Sequence, residues 1–324
     1  MTTLVTGGPG FVGLNLIEQL LARGDTVVSA GIDAIPAAAH VVLDPLPGRL
    51  VEARADVRDA AAVTGLVAEH GVRRIVHGAV ITAGPERERR DAAGIVAVNV
   101  GGTVNVLDAA VRHGIERLVF LSSASVYGAS ATATPRLAED DPPPRPESLY
   151  AVTKHAAECT ALRYRTLHGI EVVAARLTAV FGRWEHDTGL RDTLSAPYRL
   201  VGMAEAGAEA VLPDEGPRDW IYGPDVARGI LALLDAPALT HPVYNVGPGT
   251  AFPLDAWCAR LAERFPAFRY RMAEPGETGD PRLAAGRRSP LAIDRLRAET
   301  GFTPRFDLES ALDDYLAWRR TTRL

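Results

Sequence analysis

The chain has 324 residues, of which 47% are hydrophobic and 23% charged, and its formal net charge is −5. This length predicts two domains, or one large domain with an appended lobe, and enough apolar residues for a packed core. The acidic balance argues against a basic face for nucleic acid or an anionic membrane, so the expected partner is a small molecule.

The two cysteines, Cys159 and Cys258, are far apart and form no C-x-x-C pair, which favours a reducing, cytoplasmic compartment. We expect no membrane span, because no apolar run approaches the ~18 residues that a span requires. We expect no signal peptide, because residues 2–6 are already a predicted strand. The eight histidines show no metal-ligand spacing, so we expect no metal site.

Short β-branched runs alternate with helical segments in the first half of the chain. The predicted strands are residues 3–6, 26–30, 49–53, 73–79, 117–123 and 171–176. Between them, apolar residues recur with helical spacing, and several segments end at a glycine suited to a left-handed turn. The alternation predicts an α/β fold of the Rossmann type, in which a doubly wound parallel sheet is joined by right-handed helical crossovers.

This alternation ends near residue 177. The segment 178–225 is richer in glycine, proline and charge, and residues 253–265 and 307–318 have the pattern of amphipathic helices. We therefore expect a dinucleotide-binding domain over 1–177. Residues 178–324 are expected to form mainly a smaller substrate-binding lobe, with some segments returning to the first domain.

A glycine triplet opens the first predicted helix. Gly7, Gly10 and Gly13 directly follow the first predicted strand, in the segment TGGPGFVG. In this position the glycines provide a tight turn, close approach of backbone N–H groups to a pyrophosphate, and close packing of helix on strand. The sequence therefore predicts a dinucleotide site, to which Phe11 and Val12 also belong.

The ends of the second and third strands bear on the choice of cofactor. A carboxylate for the adenosine ribose is expected near position 31, but the residue there is Gly31, and Asp33 follows two positions later. No arginine or lysine lies in that turn to meet a 2′-phosphate, so NAD is favoured over NADP. Asp56 and Val57 follow the third strand, where Asp56 is placed to reach the adenine; a helix N-cap is the alternative.

Tyr150 and Lys154 are four residues apart at the start of a predicted helix, and therefore lie on one face of it. A tyrosine hydroxyl has a reference pKa near ~10, but a neighbouring ammonium and an oxidised nicotinamide stabilise its phenolate. Such a pair can take a proton from an alcohol while hydride leaves the same carbon. A solvated helix face is the alternative explanation of the spacing taken alone.

Seven segments, in order, resemble the extended short-chain dehydrogenase/reductases of the NAD-dependent epimerase/dehydratase superfamily, which includes UDP-glucose 4-epimerase-like and sugar or sugar-acid dehydrogenase members. They are TGGPGFVG, HGAV, VNVGGTVNVLDAA, SSASVYG, YAVTK, EGPRDWIYGPDVARGI and YNVGPG. The resemblance implies that Tyr150 is the general base, that Lys154 is its partner and holds the nicotinamide ribose, and that Ser123 supplies the catalytic hydroxyl.

The same resemblance assigns further residues. It implies that Asn99 is an active-site asparagine and that Gly78 and Ala79 belong to the loop along the cofactor. It also implies a homodimer, formed through the helix that bears the tyrosine and the helix before it.

Positions 124 and 125 narrow the chemistry. The sugar-nucleotide 4,6-dehydratases of this family carry an Asp-Glu pair directly after the catalytic serine or threonine, because loss of water needs an acid for the hydroxyl and a base for the adjacent C–H. The chain has Ala124 and Ser125 there. Dehydration is therefore disfavoured, and Ser125 is a candidate substrate contact.

The segment RLTAVFGR resembles the family's R-x-x-N-V-Y-G-P, whose asparagine helps to hold the diphosphate of a nucleotide sugar. Ala179 replaces that asparagine, which favours a smaller hydroxylated substrate, and Thr178 beside it is a further candidate contact. Arg183 and Arg218 are candidates to clamp a phosphate or carboxylate, and Arg191 is another. Surface ion pairs are the alternative for these arginines, with partners Asp187, Asp192 or Asp219.

Three functions are consistent with these residues. The first is an NAD-dependent oxidoreductase in which Tyr150 deprotonates a secondary alcohol of a sugar or sugar acid, hydride passes to NAD, and Ser123 steadies the developing carbonyl. The second is an epimerase of a sugar or nucleotide sugar, in which a transient keto intermediate takes the hydride back on its other face. The third is a non-catalytic NAD-binding regulator, which the presence of all three catalytic residues disfavours.

Overall fold

The computed structural model describes residues 1–187 and 194–322. Its main feature is a parallel sheet of seven strands. The strands in the first half of the chain are β1 (Thr2–Thr6), β2 (Thr26–Gly31), β3 (Arg49–Arg54), β4 (Arg74–His77), β5 (Arg117–Ser123) and β6 (Val172–Leu177). The later strands are β7 (Ala179–Phe181), β8 (Glu209–Leu212), β9 (Trp220–Tyr222), β10 (Val243–Val246) and β11 (Arg269–Met272).

Helices follow most of the strands. Those of the first half are α1 (Phe11–Ala22), α2 (Ala37–Leu43), α3 (Ala60–Glu69), α4 (Pro85–Val96), α5 (Gly102–His113) and α6 (Leu149–His168). Those of the second half are α7 (Ala196–Glu205), α8 (Gly223–Asp235), α9 (Leu254–Arg264), α10 (Asp294–Thr300) and α11 (Leu308–Thr321). A π-helical segment, Ala97–Gly101, joins α4 to α5, and a 3₁₀ segment, Ala124–Ser130, follows β5.

The strand order in the large sheet is β10-β6-β5-β4-β1-β2-β3, so the order reverses beside β1. The sheet is buried on both faces because neighbouring residues of one strand enter different cores: Val27 faces the core that contains α1 and α8, and Val28 faces the core that contains α3, α5 and α6. The predicted doubly wound parallel sheet is confirmed. The six predicted strands correspond to β1–β6, although the fourth already ends at His77.

The second half of the chain supplies one strand and one helix to this layered structure. Val243 of β10 pairs with Ala174 of β6, which extends the sheet, and α8 packs against α1. The Gln19 side chain donates a 2.7 Å hydrogen bond to the carbonyl of Pro224 at the start of α8. Two small parallel sheets, β7 with β9 and β8 with β11, lie outside the large one.

The segment that follows β7 is held by the first and the last helix. Arg183 Nε donates to Asp314 of α11 at 2.8 Å, and Trp184 Nε1 donates to Glu18 of α1 at 2.6 Å. The Trp184 ring is fully buried and meets Trp318 of α11 edge to face, with 5.1 Å between ring centroids. Trp184 has a φ of 68°, a left-handed conformation that side chains other than glycine adopt at a cost in energy.

The stretch Pro85–His113 comprises α4, the π-helical segment and α5, with a kink at Asp91, and an 18-residue window within it has a mean hydropathy of 1.5. By length and composition it is therefore apolar enough to cross a membrane, and the expectation that the sequence has no such run is wrong. Core helices of soluble proteins meet the same criteria. Its second half packs between α3 and α6, where Val106, Leu107 and Ala110 are fully buried.

Candidate active site

A cavity of about 720 Å³ lies at the carboxyl ends of the parallel strands, the edge at which doubly wound sheets bind ligands. The predicted site residues in its wall are Gly7, Gly10, Phe11, Val12, Gly13, Asp33, Asp56, Val57, Gly78, Ala79, Ser123, Tyr150, Lys154, Thr178 and Ala179. The predicted residues Asn99, Ser125, Arg183 and Arg218 are not part of the wall, and Arg191 lies outside the described residues.

The glycine loop brings bare backbone to the cavity. Gly7 has a φ of +72°, and a Cβ atom there would lie 2.8 Å from the backbone nitrogen of Ala79. A Cβ on Gly13 would overlap the carbonyl oxygen of Gly7. Because no side chain caps α1 at Gly10, the positive end of the helix dipole is left for an anion. The loop therefore fits the pyrophosphate of a dinucleotide.

The packing around Gly31, the last residue of β2 at one end of the cavity, explains why this position has no side chain. A Cβ atom at this position would lie 2.7 Å from Cδ of Pro9, the proline within the glycine loop. The Pro9 ring thus occupies the space that a side chain at 31 needs. Asp33 lines the same end of the cavity and is the nearest carboxylate along the chain.

Asp56 also lines the cavity, but its carboxylate is paired with Arg58. The backbone N–H and Nε of Arg58 each donate to it at 2.9 Å, and these hydrogen bonds lower the pKa of Asp56. Asp56 does not cap α3, because the capping side chain is that of Asp59, which accepts from the Ala62 N–H at 3.0 Å. The N-cap alternative for Asp56 is therefore wrong.

Tyr150 and Lys154 lie in the first turns of α6, which begins where the Ser148 side chain caps the Ala151 N–H at 3.1 Å. The Lys154 ammonium donates to the carbonyl of Leu121 in β5 and lies 4.4 Å from the centroid of the Phe120 ring. Burial lowers the pKa of Lys154 to about 7, against an opposing attraction from the Glu158 carboxylate. The lysine is thus fixed to the strand that carries Ser123.

The structure distinguishes the three serines near the end of β5. Ser122 Oγ donates to Glu158 at 2.6 Å and belongs to the buried polar core. Ser125 Oγ is enclosed with no hydrogen-bond partner among the described residues, away from the cavity. Ser123 Oγ accepts the Ser125 N–H at 3.1 Å, which orients the hydroxyl and leaves its own proton for a ligand.

A buried ion pair fixes α6 against the sheet beside the end of β5. Arg176 of β6 and Glu158 of α6 approach to 2.7 Å, and their side chains are 4% and 2% exposed. Arg176 also donates to the hydroxyl of Tyr127 at 3.1 Å. The pair ties α6, which carries Tyr150, to two strands of the sheet.

The arginines expected to hold a substrate anion are engaged elsewhere. Arg183 is paired with Asp314 and lies 3.4 Å from Glu18, not with the aspartates that the sequence suggested. Arg218 donates to the carbonyls of Ala285 and Gly286, and its burial together with Arg288 lowers its pKa to about 9. Neither guanidinium reaches the cavity wall.

The cavity and its residues have counterparts in known proteins. The model of the NAD dependent epimerase/dehydratase family matches residues 3–247. The chain belongs to this family. Family membership confirms the predicted NAD dependence and places the protein among enzymes.

Relatives in the family differ in the reaction they catalyse. A dTDP-glucose 4,6-dehydratase of Streptomyces griseus is 30% identical and aligns over 98% of this chain and 94% of its own. UDP-glucuronate 4-epimerase 5 of Arabidopsis thaliana is 27% identical over 98% of this chain and 75% of its own. The UDP-glucose 4-epimerase of Thermus thermophilus, solved in complex with NAD, is 28% identical, with a TM-score of 0.80 and 99% of both chains covered. Overall similarity therefore does not separate dehydratases from epimerases for this member of the family.

Several residues in the cavity wall were missed by sequence reasoning. They include Pro9, Arg58, Arg87, Asp91 and His186. The proline inside the glycine loop carried a usable signal, since it lies between two positions already assigned to the cofactor. Arg87 and Asp91 are in α4 and have no distinguishing pattern in sequence. Among the described residues, no group of three His, Cys, Asp or Glu side chains is arranged to hold a metal.

Proposed function

We propose that the protein is an NAD-dependent oxidoreductase that oxidises a secondary alcohol of a sugar-like substrate, with Tyr150 as general base. The observation that carries the proposal is one cavity wall that combines the glycine cradle with Ser123, Tyr150 and Lys154. The residues after Ser123 supply no acid or base, because Ala124 has no ionisable group and the Ser125 hydroxyl is enclosed away from the cavity.

Each residue has a role that follows from its surroundings. Tyr150 accepts the proton of the substrate hydroxyl, and the Lys154 ammonium, held at the Leu121 carbonyl, stabilises the phenolate by its charge. Ser123 donates to the substrate oxygen, which gains negative charge as its proton leaves. When bound, NAD accepts the hydride from the alcohol carbon.

A neutral, hydroxyl-bearing substrate is favoured over a sugar acid by the positions of two predicted anion-binding residues. Of the three arginines that the sequence offered for a carboxylate or diphosphate, Arg183 and Arg218 are held by other protein groups, and Arg191 lies outside the described residues. Thr178 and Ala179 form the wall instead, and the Thr178 hydroxyl donates to the Asp219 carbonyl at 2.8 Å. Among the described residues, a diphosphate at this point of the wall would meet neither an asparagine amide nor the side chains of Arg183 and Arg218.

The proposal is tested by incubating the pure protein with NAD and a panel of free sugars, sugar acids, UDP-sugars and dTDP-glucose. NADH formed in proportion to oxidised product supports net dehydrogenation. An inverted sugar with no accumulation of NADH supports the alternative, an epimerase. A 4-keto-6-deoxy product from dTDP-glucose refutes the argument from Ala124 and Ser125.

Tyr150→Phe is the matched variant for this experiment. It keeps the ring and removes the proton acceptor, so we expect turnover to fall by at least about 10³-fold while the affinity for NAD changes little. NAD affinity is measured by calorimetry and turnover with the best substrate of the panel. Turnover within tenfold of wild type would show that another group is the base.

We also infer a homodimer formed through α5 and α6. Two apolar side chains of α6, Val152 and Leu167, are 43% and 56% exposed, which leaves them available for a partner helix. Sedimentation should give twice the chain mass of 34.6 kDa. A monomer at micromolar concentration would rule out this assembly.

A further inference from the structure

A chain of buried side chains connects β1 to the helix before the catalytic tyrosine. Thr6 Oγ1 lies 2.6 Å from His77 Nδ1, and His77 Nε2 lies 3.0 Å from Thr103 Oγ1. Thr103 Oγ1 in turn donates to the backbone carbonyl of Asn99 at 2.7 Å. All four residues are at most 2% exposed, so water does not compete for these hydrogen bonds.

The contacts of Thr6 at the β1 end of this hydrogen-bond series determine which nitrogen of His77 carries the proton. Thr6 Oγ1 accepts the Ala79 N–H at 3.3 Å and, at 3.2 Å, the Gly78 N–H, which it shares with the Thr6 carbonyl at 3.0 Å; these two contacts face its lone pairs. Its own proton is therefore donated to His77 Nδ1. An imidazole that accepts at Nδ1 and is neutral carries its proton on Nε2.

The other end leads independently to the same tautomer. The Asn99 carbonyl can only accept, so the Thr103 hydroxyl donates to it and needs a donor for its own oxygen. His77 Nε2–H is that donor. Burial lowers the pKa of His77 to about 3, with a contribution from the Lys154 charge, so the neutral ring persists at physiological pH.

Asn99 extends the chain to the catalytic helix. Its side chain accepts the Ile81 N–H at 2.8 Å and donates to the Ile81 carbonyl at 3.1 Å, which fixes the loop after β4. It also donates to Thr153 Oγ1 at 3.0 Å, and that hydroxyl donates to the carbonyl of Tyr150 at 2.9 Å. Asn99 does not reach the cavity itself, so its contribution is to position these two elements.

We propose that His77, held as the Nε2–H tautomer, is a positioning residue that couples the cofactor loop Gly78–Ala79 to the helix of Tyr150. The loop and the helix line the same cavity, the loop through Gly78 and Ala79 and the helix through Tyr150. A change in the hydrogen bonds at the Thr6 end of this series therefore alters those at the Thr153 end. The proposal rests on the proposed use of this cavity for NAD, but the tautomer itself does not.

The tautomer is read from the wild-type protein by long-range ¹H–¹⁵N NMR of ¹⁵N-histidine-labelled samples, with His77→Phe to assign the signals. We expect Nε2 of His77 to be protonated and Nδ1 unprotonated, with no titration from pH ~6 to ~8. A proton on Nδ1, or a charged ring in this range, would overturn the proposal. This measurement needs neither substrate nor NAD.

Coupling is measured by a double-mutant cycle on NAD affinity with Thr6→Val and Thr153→Val, which are near-isosteric and touch different parts of the chain. We expect the double variant to differ from the product of the single effects by at least about threefold. Effects that multiply within error would refute the coupling. If the wild type binds no NAD, the proposed function fails, whereas the tautomer result stands.

His77→Phe provides the third measurement, because it keeps a ring packed near Phe120, 5.9 Å away, and removes both polar contacts. We expect kcat to fall by about tenfold or more through misplacement of Tyr150, with a smaller change in the KM for the sugar. Wild-type kcat in a folded His77→Phe protein would contradict a positioning role.

Discussion

The buried ammonium of Lys154 gives the ligand-free enzyme a distinctive pH dependence of stability. Burial lowers the pKa of this lysine from 10.5 to about 7 in the folded chain. Between these two values the unfolded chain holds a proton that the folded chain has released. Because the unfolded state binds more protons there, the free energy of unfolding rises with pH across this window and levels off below it.

Lys154→Met should remove this dependence, since it keeps an unbranched side chain and cannot titrate. The two pKa values imply that the lysine costs the folded state about 4 kcal/mol at pH ~7. Loss of its hydrogen bond to the Leu121 carbonyl offsets about 1.5–3 kcal/mol of the gain. We therefore expect the variant to be more stable than wild type by about 1–3 kcal/mol at neutral pH, with no turnover.

The assay is urea unfolding of ligand-free protein over a series of pH values. Between pH ~8 and ~9.5, the free energy of unfolding of the wild type should rise by about 1 kcal/mol per pH unit relative to that of Lys154→Met. The greater stability of the variant should therefore disappear over this range. Arg73→Met, at an exposed pair with Glu116, is the control, and its curve should parallel the wild type. Parallel curves for Lys154→Met and wild type would refute a lowered lysine pKa.

The sequence offers a direct check, because Lys154 is the sole lysine among the 35 basic residues. Protein labelled with ¹³Cε-lysine therefore gives one side-chain resonance. We expect this resonance to titrate near the value of about 7. A midpoint near ~10, the value of a free lysine, would contradict the stability argument.

Three further outcomes are expected. Glu158→Gln leaves the Arg176 charge buried without its partner and should lower the free energy of unfolding by about 3–5 kcal/mol in urea titrations. Glu116→Gln, at the exposed pair with Arg73, should change it by less than about 0.5 kcal/mol. Similar effects of the two variants would contradict the argument from burial. Gly31→Arg should weaken NAD binding by about tenfold in calorimetry without improving NADP use, because the new Cβ meets the Pro9 ring. Adding Pro9→Gly to this variant should restore NAD binding. Improved NADP use by the single variant would show that the Pro9 ring moves aside. Arg183→Gln should lower the stability by about 1 kcal/mol and leave the sugar KM within about twofold, and a large rise in KM would restore its role in substrate binding.

The sheet was predictable because its signals are local. The inner strands β4, β5 and β6 are buried on both faces and stand out as apolar runs, whereas the edge strand β3 is partly exposed. Glycines such as Gly114 and Gly169 end the helices between the strands in left-handed turns. β10 was not predicted, because it is four residues long and its partner β6 lies some seventy positions earlier in the chain. Pairing over such a distance leaves no local pattern.

In the candidate site, too, the features with a local sequence pattern were predictable and those set by distant residues were not. The spacing of Tyr150 and Lys154 and of the glycines is local, and the structure brings these residues into one wall. The environments of Arg183 and Arg218 depend on Asp314 and Ala285, which are far away in sequence. Charge and residue type alone therefore could not show that these arginines already had partners.

The contacts of Asp314 and Trp318 have a consequence for synthesis of the chain. These residues of α11 hold Arg183 and Trp184, which lie between Val180 and His186 of the cavity wall. The strands β1 to β6 are complete once residue 177 has been made, and an N-terminal unit of this kind folds early. The left-handed Trp184 gains its edge-to-face partner only after the last helix has been synthesised, so the segment after β7 reaches its final packing later than the strands β1 to β6.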